Sequence, residues 1–234
     1  MTERTVLVTG GTGALGAAVT RRFLDAGHRV AVTWRSEADR DALAGDLHDF
    51  ADRLLFVRAD VTDPEAVTNA VEEVRSALGP VGVLAHLVGG WRGDERIDAH
   101  SIETWEGMLR LNLTSGFLCA RAVLPGMLAE NWGRIVLVSA RTAVRPRAGD
   151  AAYAVAKAGV IVLAQTIAEE TRGTGVTANV VVPSIIDTPA NRASMPGDPA
   201  RWVPPADVAE AIAFLASDPA GQIRGGSVPV YGSA

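Results

Sequence analysis

Short apolar runs alternate with longer amphipathic stretches along the whole chain. The short runs are rich in Val, Leu and Ile and are apolar on both faces, which is typical of buried parallel strands. They predict seven strands: Thr5–Thr9, Arg29–Thr33, Leu54–Ala59, Val83–Val88, Arg134–Ser139, Thr177–Val182 and Ser227–Val230. The stretches between them have the length and spacing of helices.

Residues that start or stop helices mark the boundaries of these stretches. Gly27 should end the first helix, because glycine readily adopts the conformation found after helix ends. Ser101 should cap a helix that begins near Ile102. The other predicted helices cover Ala14–Ala26, a segment from Asp63-Pro64 to Gly79-Pro80, Asp150–Arg172 and Asp207–Ser217. Strands that alternate with helices in this way predict a doubly wound α/β fold with helices on both faces of a mainly parallel, seven-stranded sheet.

Residues 1–234 are predicted to form a single domain, because no linker, repeat or low-complexity tract divides the chain. Two long irregular stretches, Gly89–His100 and Pro183–Ala206, follow strands at their carboxyl ends. Open α/β sheets bind ligands at that edge, so we expect both stretches to be substrate loops. The second holds six prolines and has the character of a lid.

Composition narrows the class of protein. Of the 234 residues, 48% are hydrophobic and 21% charged, which suffices for a full core. The net charge of −5 argues against a nucleic-acid partner. The single cysteine, Cys119, excludes an intramolecular disulfide and a cysteine-ligated zinc site. No purely apolar run approaches the ~18 residues of a membrane span, and the N-terminus lacks a signal-peptide pattern, so we expect a cytoplasmic protein with no membrane partner.

A glycine-rich loop joins the first predicted strand to the first predicted helix, with the sequence Thr9-Gly10-Gly11-Thr12-Gly13-Ala14-Leu15-Gly16. Backbone without a Cβ can approach a pyrophosphate closely, and a helix N-terminus favours negative charge. The strand before and the helix after the loop supply the context of a Rossmann-type dinucleotide site. We therefore expect cofactor contacts from Gly10, Thr12, Gly13, Ala14, Leu15 and Gly16.

The end of the second predicted strand, Trp34-Arg35-Ser36, bears on which cofactor is bound. A carboxylate at positions 34 or 35 would bind the adenosine ribose hydroxyls of NAD(H), and none is present. The Arg35 guanidinium could instead pair with a 2′-phosphate, so NADP(H) is expected and NAD(H) less so. A solvated arginine that opens a charged helix is the alternative interpretation. Asp60, followed by Val61 after the third strand, could bond the adenine amino group or serve as a turn residue.

Four polar residues form the candidate catalytic constellation. Tyr153 and Lys157 stand four residues apart on a predicted helix and share one face. A nearby cation lowers the pKa of a phenol from about 10 and makes proton exchange with a carbonyl oxygen feasible. Ser139 ends the fifth predicted strand, and its hydroxyl could donate to the same carbonyl. Asn112 has apolar neighbours and must find partners when buried, either in a relay water or in the core.

These motifs, with Pro183…Thr188-Pro189, occur in the order and at the spacings that resemble the short-chain dehydrogenase/reductase family. The resemblance implies that Tyr153 is the general acid in carbonyl reduction. Lys157 would lower its pKa and bind the nicotinamide ribose, Ser139 would orient the substrate carbonyl, and Asn112 would hold a relay water. Further implied cofactor residues are Gly89, Pro183, Ile186 and Thr188. The resemblance also implies a homotetramer or homodimer formed through two long helices, about Ser101–Glu130 and Asp150–Arg172.

The chain departs from the family pattern after the fourth predicted strand, where His86-Leu87-Val88-Gly89 keeps only the glycine of the usual Asn-Asn-Ala-Gly. His86 is interpreted as a satisfied core histidine or as a group that titrates beside the cofactor. The two substrate loops resemble those of dihydropteridine reductases within the same family. A pterin substrate is therefore an open alternative.

Several charged and aromatic side chains lie in or near the predicted loops. Five arginines are expected at the mouth of the site, which suggests an anionic or thioester-carried substrate, although surface ion pairs would explain them equally: Arg141, Arg145, Arg147, Arg192 and Arg201. Trp91 and Trp202 could form an aromatic wall or simply pack. One acidic group matches no known spacing of metal ligands, so no metal site is predicted: Asp94, Glu95, Asp98, His100 and Glu103.

The sequence therefore predicts an NADP(H)-dependent oxidoreductase that reduces a small-molecule ketone to an alcohol by hydride transfer. A pteridine-type reductase is one alternative. A non-catalytic NADP(H)-binding sensor or scaffold is another, and an isomerisation or a cofactor-independent cyclisation also stays open.

Overall fold

The computed structural model describes residues 2–93 and 95–233. Within these residues lie seven strands: β1 (Thr5–Thr9), β2 (Arg29–Trp34), β3 (Leu54–Arg58), β4 (Val81–His86), β5 (Gly133–Val138), β6 (Val176–Pro183) and β7 (Ser227–Val230). They form one sheet in the order β3-β2-β1-β4-β5-β6-β7, and every neighbouring pair is parallel. The predicted doubly wound α/β sheet is confirmed. Its strand order reverses between β1 and β4, where ligands of such folds bind.

Eight α-helices lie within the same residues: α1 (Ala14–Asp25), α2 (Glu37–Asp46), α3 (Pro64–Leu78), α4 (Ile102–Leu109), α5 (Ser115–Ala129), α6 (Ala151–Glu170), α7 (Pro189–Ser194) and α8 (Pro205–Leu215). Side chains that alternate along the strands fill a core on each face of the sheet. On β5, Ile135 and Leu137 point to the face covered by α3, α5 and α6. Val136 and Val138 point to the face covered by α1, α2 and α8. Burial on both faces explains why the strands are continuous apolar runs in the sequence.

The long helix predicted for about Ser101–Glu130 is present as one helical stretch, Ile102–Ala129, but it is not regular α-helix throughout. Ser101 caps α4 as expected, because its hydroxyl accepts a hydrogen bond from Thr104 N at 3.1 Å. A π-helical turn, Arg110–Thr114, then separates α4 from α5. Ser115 Oγ donates to the carbonyl of Leu111 at 2.6 Å across this turn. Such single π-turns often occur at functional sites, and Asn112 lies at its centre.

The predicted lid is more regular than its prolines suggest. It contains α7, and a parallel bridge joins Ile186 to Val203 near its two ends. Asp187 N donates to the Val203 carbonyl at 2.8 Å, and Val203 N donates to the Ile185 carbonyl at 2.9 Å. The expectation of an irregular stretch is therefore wrong for this part, because prolines at the first positions of α7 and α8 start helices instead of breaking them.

Two helical stretches, Ile102–Ala129 and Ala151–Glu170, are long and apolar enough to cross a membrane by length and composition alone. Core helices of sheet proteins pass the same test, and α5 and α6 each pack one side against the sheet. The absence of a membrane partner stays a prediction.

Candidate active site

A cavity of about 410 Å³ lies at the carboxyl ends of β1, β2, β3 and β4. Eleven of the predicted cofactor residues line it: Gly10, Thr12, Gly13, Ala14, Leu15, Gly16, Arg35, Ser36, Asp60, Val61 and Gly89. The cavity therefore sits at the point where the strand order reverses, and the glycine loop forms one of its walls.

The glycine loop fits a pyrophosphate. A Cβ at Gly16 would lie 2.3 Å from the Gly10 carbonyl oxygen, so no side chain can occupy the turn. The first residue before α1 is Gly13, which offers no side chain to cap the helix, and the first turn of α1 carries no acidic residue. The N–H groups at this end of α1 and its dipole are thus available to an anionic ligand.

The adenosine end of the cavity contains residues that the sequence analysis missed. Trp34 and Asp39 line the cavity beside Arg35 and Ser36. The Trp34 indole N–H is buried and has no acceptor among the described residues. In the sequence, the only sign of a role for Trp34 was its position directly before Arg35. Ser36 caps α2 by accepting a hydrogen bond from Asp39 N at 3.3 Å.

Asp60 is held as a carboxylate at the cavity wall. Its Oδ1 accepts hydrogen bonds from Thr62 N at 2.9 Å and from Thr62 Oγ1 at 2.8 Å. These bonds lower the pKa of the Asp60 carboxyl, and the positive charges of Arg35 and Arg110 lower it further. Arg35 and Arg110 therefore act on the same side of the cavity as Asp60.

Lys157 and the end of β5 exchange two hydrogen bonds. Lys157 Nζ donates to the Val138 carbonyl at 2.9 Å, and Ser139 Oγ donates to the Lys157 carbonyl at 2.7 Å. Ser139 is only 2% exposed. Its single hydroxyl proton is thus committed to the backbone of α6, and this geometry does not support the predicted role of Ser139 as a donor to the substrate carbonyl.

The Asn112 side chain binds the loop after β4. Its Oδ1 accepts a hydrogen bond from Gly90 N at 3.0 Å, and its Nδ2 donates to the carbonyls of Gly90 at 2.9 Å and Met108 at 3.1 Å. Both amide protons are therefore used by the backbone. The side chain can still accept one hydrogen bond, but the relay-water role stays a prediction.

Gly89 joins the cavity to the candidate catalytic residues. It lines the cavity, and a Cβ at this position would lie 2.8 Å from both Asn112 Oδ1 and Lys157 Nζ. Only glycine leaves these two groups in place. A ligand that fills the cavity therefore ends next to Lys157 and Asn112.

Burial raises the pKa of Tyr153 to about 12, and the negative charge of Asp150 adds to this shift while Arg147 opposes it. The expectation that Lys157 lowers the Tyr153 pKa stays a prediction. Lys157 Nζ lies 5.9 Å from the centre of the Tyr153 ring and is held by the Val138 carbonyl. Burial lowers the pKa of Lys157 to about 8. The phenol is thus protonated at neutral pH, as a general acid requires.

His86 is a neutral, fully bonded core residue. Ser115 Oγ gives its proton to Leu111 and lies 3.2 Å from His86 Nε2, so it must accept a hydrogen bond from that nitrogen. Nδ1 then accepts a hydrogen bond from the Thr9 hydroxyl at 2.7 Å. Burial lowers the pKa of His86 to about 3, and the charge of Lys157 contributes. The interpretation as a satisfied core histidine is confirmed.

Five predicted cofactor residues do not line this cavity: Tyr153, Lys157, Pro183, Ile186 and Thr188. Thr188 Oγ1 caps α7 by accepting a hydrogen bond from Asn191 N at 3.2 Å. The Ile186 side chain packs against the core beneath α8. Their predicted contacts with a nicotinamide group stay predictions.

Most of the predicted arginine cluster is already engaged. Arg192 forms a bidentate pair with Asp187, Arg201 donates to the Ser233 carbonyl, and Arg147 pairs with Asp150. Arg141 lies 5.2 Å from the centre of the Tyr231 ring. The interpretation of these side chains as surface ion pairs is therefore confirmed for Arg147 and Arg192.

The two loop tryptophans differ. Trp202 is buried and serves packing, whereas Trp91 is 50% exposed. In the acidic group of the first loop, Asp94 lies outside the described residues. Among the residues that the structure describes, no cluster of His, Cys, Asp or Glu could hold a metal ion.

Comparisons with known proteins agree with this geometry. Residues 4–198 match the family model described as short chain dehydrogenase. The chain belongs to this family. Short-chain dehydrogenases of this kind are NAD(P)-dependent oxidoreductases that act on CH–OH and C=O groups, so the chain is an enzyme of that class.

Several curated relatives in this short-chain dehydrogenase family span nearly the whole chain. The 3-oxoacyl-(acyl-carrier-protein) reductase MabA of Mycobacterium bovis is 36% identical and covers 98% of this chain and 92% of its own. The 3-oxoacyl-(acyl-carrier-protein) reductase FabG of Escherichia coli is 32% identical, with 97% and 95% covered. The 2,5-dichloro-2,5-cyclohexadiene-1,4-diol dehydrogenase LinX of Sphingobium indicum is 31% identical, with 98% and 95% covered. The solved structure of gox2181 superposes with a TM-score of 0.92 at 30% identity and covers 99% of this chain and 95% of its own.

Proposed function

We propose that this chain is an NADP(H)-dependent ketoreductase that reduces the ketone of a 3-oxoacyl thioester to an alcohol. The observation that carries the proposal is Gly89, which lines the cofactor cavity and lies within contact distance of Asn112 and Lys157. A dinucleotide whose pyrophosphate occupies the glycine loop would thereby end beside these residues. The names of the MabA and FabG relatives support a thioester-carried ketone as substrate.

Tyr153 acts as the general acid in this proposal. Bound NADPH would supply the hydride for the carbonyl carbon. The Tyr153 hydroxyl would protonate the carbonyl oxygen, and its raised pKa keeps the proton on the phenol until the oxygen becomes negative. Lys157 provides a positive charge beside the ring as the phenolate forms. Its pKa of about 8 also lets it release a proton near neutral pH.

Arg35 supports a preference for NADP(H) over NAD(H). It lines the adenosine end of the cavity, where Trp34 and Ser36 are its neighbours and neither is acidic. Its planar guanidinium matches the geometry of a phosphate. Asp39 also lines this end, and its negative charge would oppose a 2′-phosphate. The proposed preference therefore requires that Arg35 outweigh Asp39.

A thioester substrate attached to a carrier would reach the candidate active site past the segment that precedes α6. The Arg145 side chain is exposed there and makes no ion pair or hydrogen bond with the residues that the structure describes, 2–93 and 95–233. It is the arginine of the predicted cluster best suited to an anionic carrier.

We also propose that two or four copies of the chain associate through α5 and α6. Both helices expose large apolar side chains: Phe117, Leu128, Val155 and Val162. Such patches on a soluble protein commonly mark interfaces. Light scattering at several concentrations tests this proposal, and a monomer throughout would refute it.

The central experiment tests a panel of substrates with NADPH or with NADH. Turnover is measured from the absorbance of the reduced nicotinamide. The panel contains a 3-oxoacyl thioester, a quinonoid dihydropterin, a quinone and a simple diketone. We expect turnover of the thioester with NADPH. Tyr153→Phe should lose about 10²–10⁴-fold in turnover, which is the usual contribution of a general acid, while it still binds NADPH.

The other tyrosine of the chain provides the matched control. Tyr231→Phe removes a hydroxyl outside the candidate catalytic group and should leave turnover near the wild-type level. Near-normal turnover by Tyr153→Phe would refute the mechanism. Turnover of the dihydropterin alone would favour the pteridine-type alternative. Tight NADPH binding without turnover of any substrate would favour a sensor or scaffold.

A further inference from the structure

Asp150 stands directly before α6 but does not cap it. Its side chain makes no capping hydrogen bond. Instead Oδ1 accepts a hydrogen bond from the Trp91 indole Nε1 at 2.8 Å, and Oδ2 accepts one from Arg147 Nε at 3.1 Å. Asp150 is only 3% exposed. A buried carboxylate is costly unless it is paired, so these two bonds fix two segments of chain, at Trp91 and at Arg147–Asp150, relative to one another.

The segment Gly89–Gly93, here called the strap, is held on both sides. Gly90 exchanges two hydrogen bonds with the Asn112 side chain. Trp91 is held by Asp150. At Gly93 the backbone approaches so closely that a Cβ would lie 2.7 Å from the Gly149 carbonyl oxygen. The first half of the predicted substrate loop is therefore fixed against the residues that precede Tyr153.

Trp91 remains half-exposed although its N–H is satisfied. Its exposed fraction is 50%, and packing on the core would have buried the ring as it does for Trp202. An indole anchored by its N–H and open on one side presents a rigid, flat, apolar surface. Asp150, its anchor, lies three residues before Tyr153 and on the same side of α6. The exposed indole thus borders the approach to the candidate general acid.

We infer that Trp91 is a specificity-determining residue that selects ketones bearing a flat or aromatic group next to the carbonyl. Asp150 is the positioning residue that fixes the orientation of the indole. This inference rests on the proposed function, because it concerns the substrate that Tyr153 protonates.

Two thioesters of the same thiol test the inference with NADPH as the reductant. One carries a 3-oxobutanoyl group and the other a 3-oxo-3-phenylpropanoyl group. We expect the wild type to favour the phenyl substrate in kcat/KM by about tenfold, which is the value of an aromatic contact plus part of its buried area. Trp91→Ala should reduce this ratio to about one. Asp150→Ala should do the same although Trp91 is intact, whereas Asp150→Asn keeps an acceptor oxygen and should retain the preference.

The chain contains a matched control for the indole–carboxylate pair. Trp132 Nε1 donates to Asp218 Oδ1 at 3.1 Å, next to the amino end of β5 and away from the candidate site. Asp218→Ala should therefore leave the ratio unchanged. If the alanine variants fold poorly, Trp91→Phe provides a milder test. It keeps a ring but loses the N–H anchor, and its preference should fall.

The outcomes separate this inference from the proposed function. Turnover of both thioesters with no preference, or a preference that survives Trp91→Ala, would overturn the role of Trp91 and leave the proposed function standing. A preference that survives Asp150→Ala and Trp91→Phe would overturn the role of Asp150. No turnover of either thioester by wild-type protein that binds NADPH would refute the proposed function, and this inference with it.

Discussion

Ser139 Oγ donates to the Lys157 carbonyl at 2.7 Å while Lys157 Nζ donates to the Val138 carbonyl at 2.9 Å. These two bonds run in opposite directions between the end of β5 and one residue of α6. The backbone and the ammonium group of Lys157 are thereby fixed by the same strand end. In this geometry Ser139 holds Lys157 in position. The next residue, Ala140, is partly exposed but has no hydroxyl to donate to a substrate.

Ser139→Ala is therefore expected to cost stability more than chemistry. Loss of this buried hydrogen bond should lower the free energy of unfolding by about 0.5–1.5 kcal/mol, because the Lys157 carbonyl, inside α6, still accepts its helical hydrogen bond. Turnover should fall by less than tenfold, whereas removal of a direct donor to the reacting oxygen typically costs about 10²–10³-fold. Urea unfolding and steady-state kinetics measure the two effects. Ser217→Ala, which removes a surface hydroxyl bonded to the Phe214 carbonyl, is the control. A loss in turnover of about 10²-fold or more with unchanged stability would restore Ser139 to the role of substrate donor.

Gly89→Ala should lower both activity and stability. The new Cβ would lie 2.8 Å from Lys157 Nζ and Asn112 Oδ1, so the ammonium must leave the Val138 carbonyl. We expect at least about a tenfold loss in kcat/KM, because small displacements of positioned groups are costly. The control is Gly45→Ala in α2, where a Cβ meets nothing within 4 Å. It should keep full activity and gain about 0.5–1 kcal/mol in stability. Equal kinetics for the two variants would show that Gly89 tolerates a side chain.

The sheet and the phosphate loop could be predicted because each depends on residues close together in sequence. Seven apolar runs identified seven strands, and Gly10–Gly16 spans the turn after β1 and the first residues of α1. The roles of Ser139 and Asn112 could not be obtained in the same way. A shift of one residue at the end of β5 decides which way a side chain points. β5 ends at Val138, one residue before its predicted end, and Ser139 faces α6.

Contacts between segments that are far apart in the sequence could not be predicted either. Trp91 and Asp150 are separated by 59 positions, and neither pattern nor composition indicates that they meet. The π-helical turn at Arg110–Thr114 was also missed, because the apolar spacing of the surrounding residues is that of one continuous helix. Near this turn, the Ser115 hydroxyl donates to the Leu111 carbonyl and lies 3.2 Å from Nε2 of His86 in β4.

Arg35→Ala should weaken NADPH binding far more than NADH binding. Arg35 lines the adenosine end of the cavity, and a charged hydrogen bond to a phosphate contributes about 1.5–3 kcal/mol. That corresponds to a loss of about 10–100-fold in NADPH affinity, since 1.4 kcal/mol is tenfold. Titrations of both nucleotides by fluorescence measure the ratio. Arg75→Ala on the exposed face of α3, where Arg75 pairs with Glu72, is the control. An unchanged NADPH to NADH ratio in Arg35→Ala would remove Arg35 from the cofactor site.

His86 makes the protein's stability depend on pH in the acid range. Its pKa is lowered from 6.5 to about 3 by burial, with a contribution from Lys157. Between these two values the unfolded chain binds a proton that the folded chain does not, so stability is complete above about pH 6.5 and declines as the pH falls toward about 3. The slope contributed by one such group is at most about 1.4 kcal/mol per pH unit.

His86→Asn should be less stable than the wild type at neutral pH, by about 1–3 kcal/mol, because the bond to Ser115 is lost. It does not titrate, however, so the difference from wild type should shrink as the pH is lowered from about 7 to about 4. Urea unfolding at a series of pH values measures both free energies. Parallel curves for His86→Asn and the wild type would mean that His86 binds its proton equally in the folded and unfolded states. The interpretation of His86 as a neutral residue hydrogen-bonded to Thr9 and Ser115 would then be wrong.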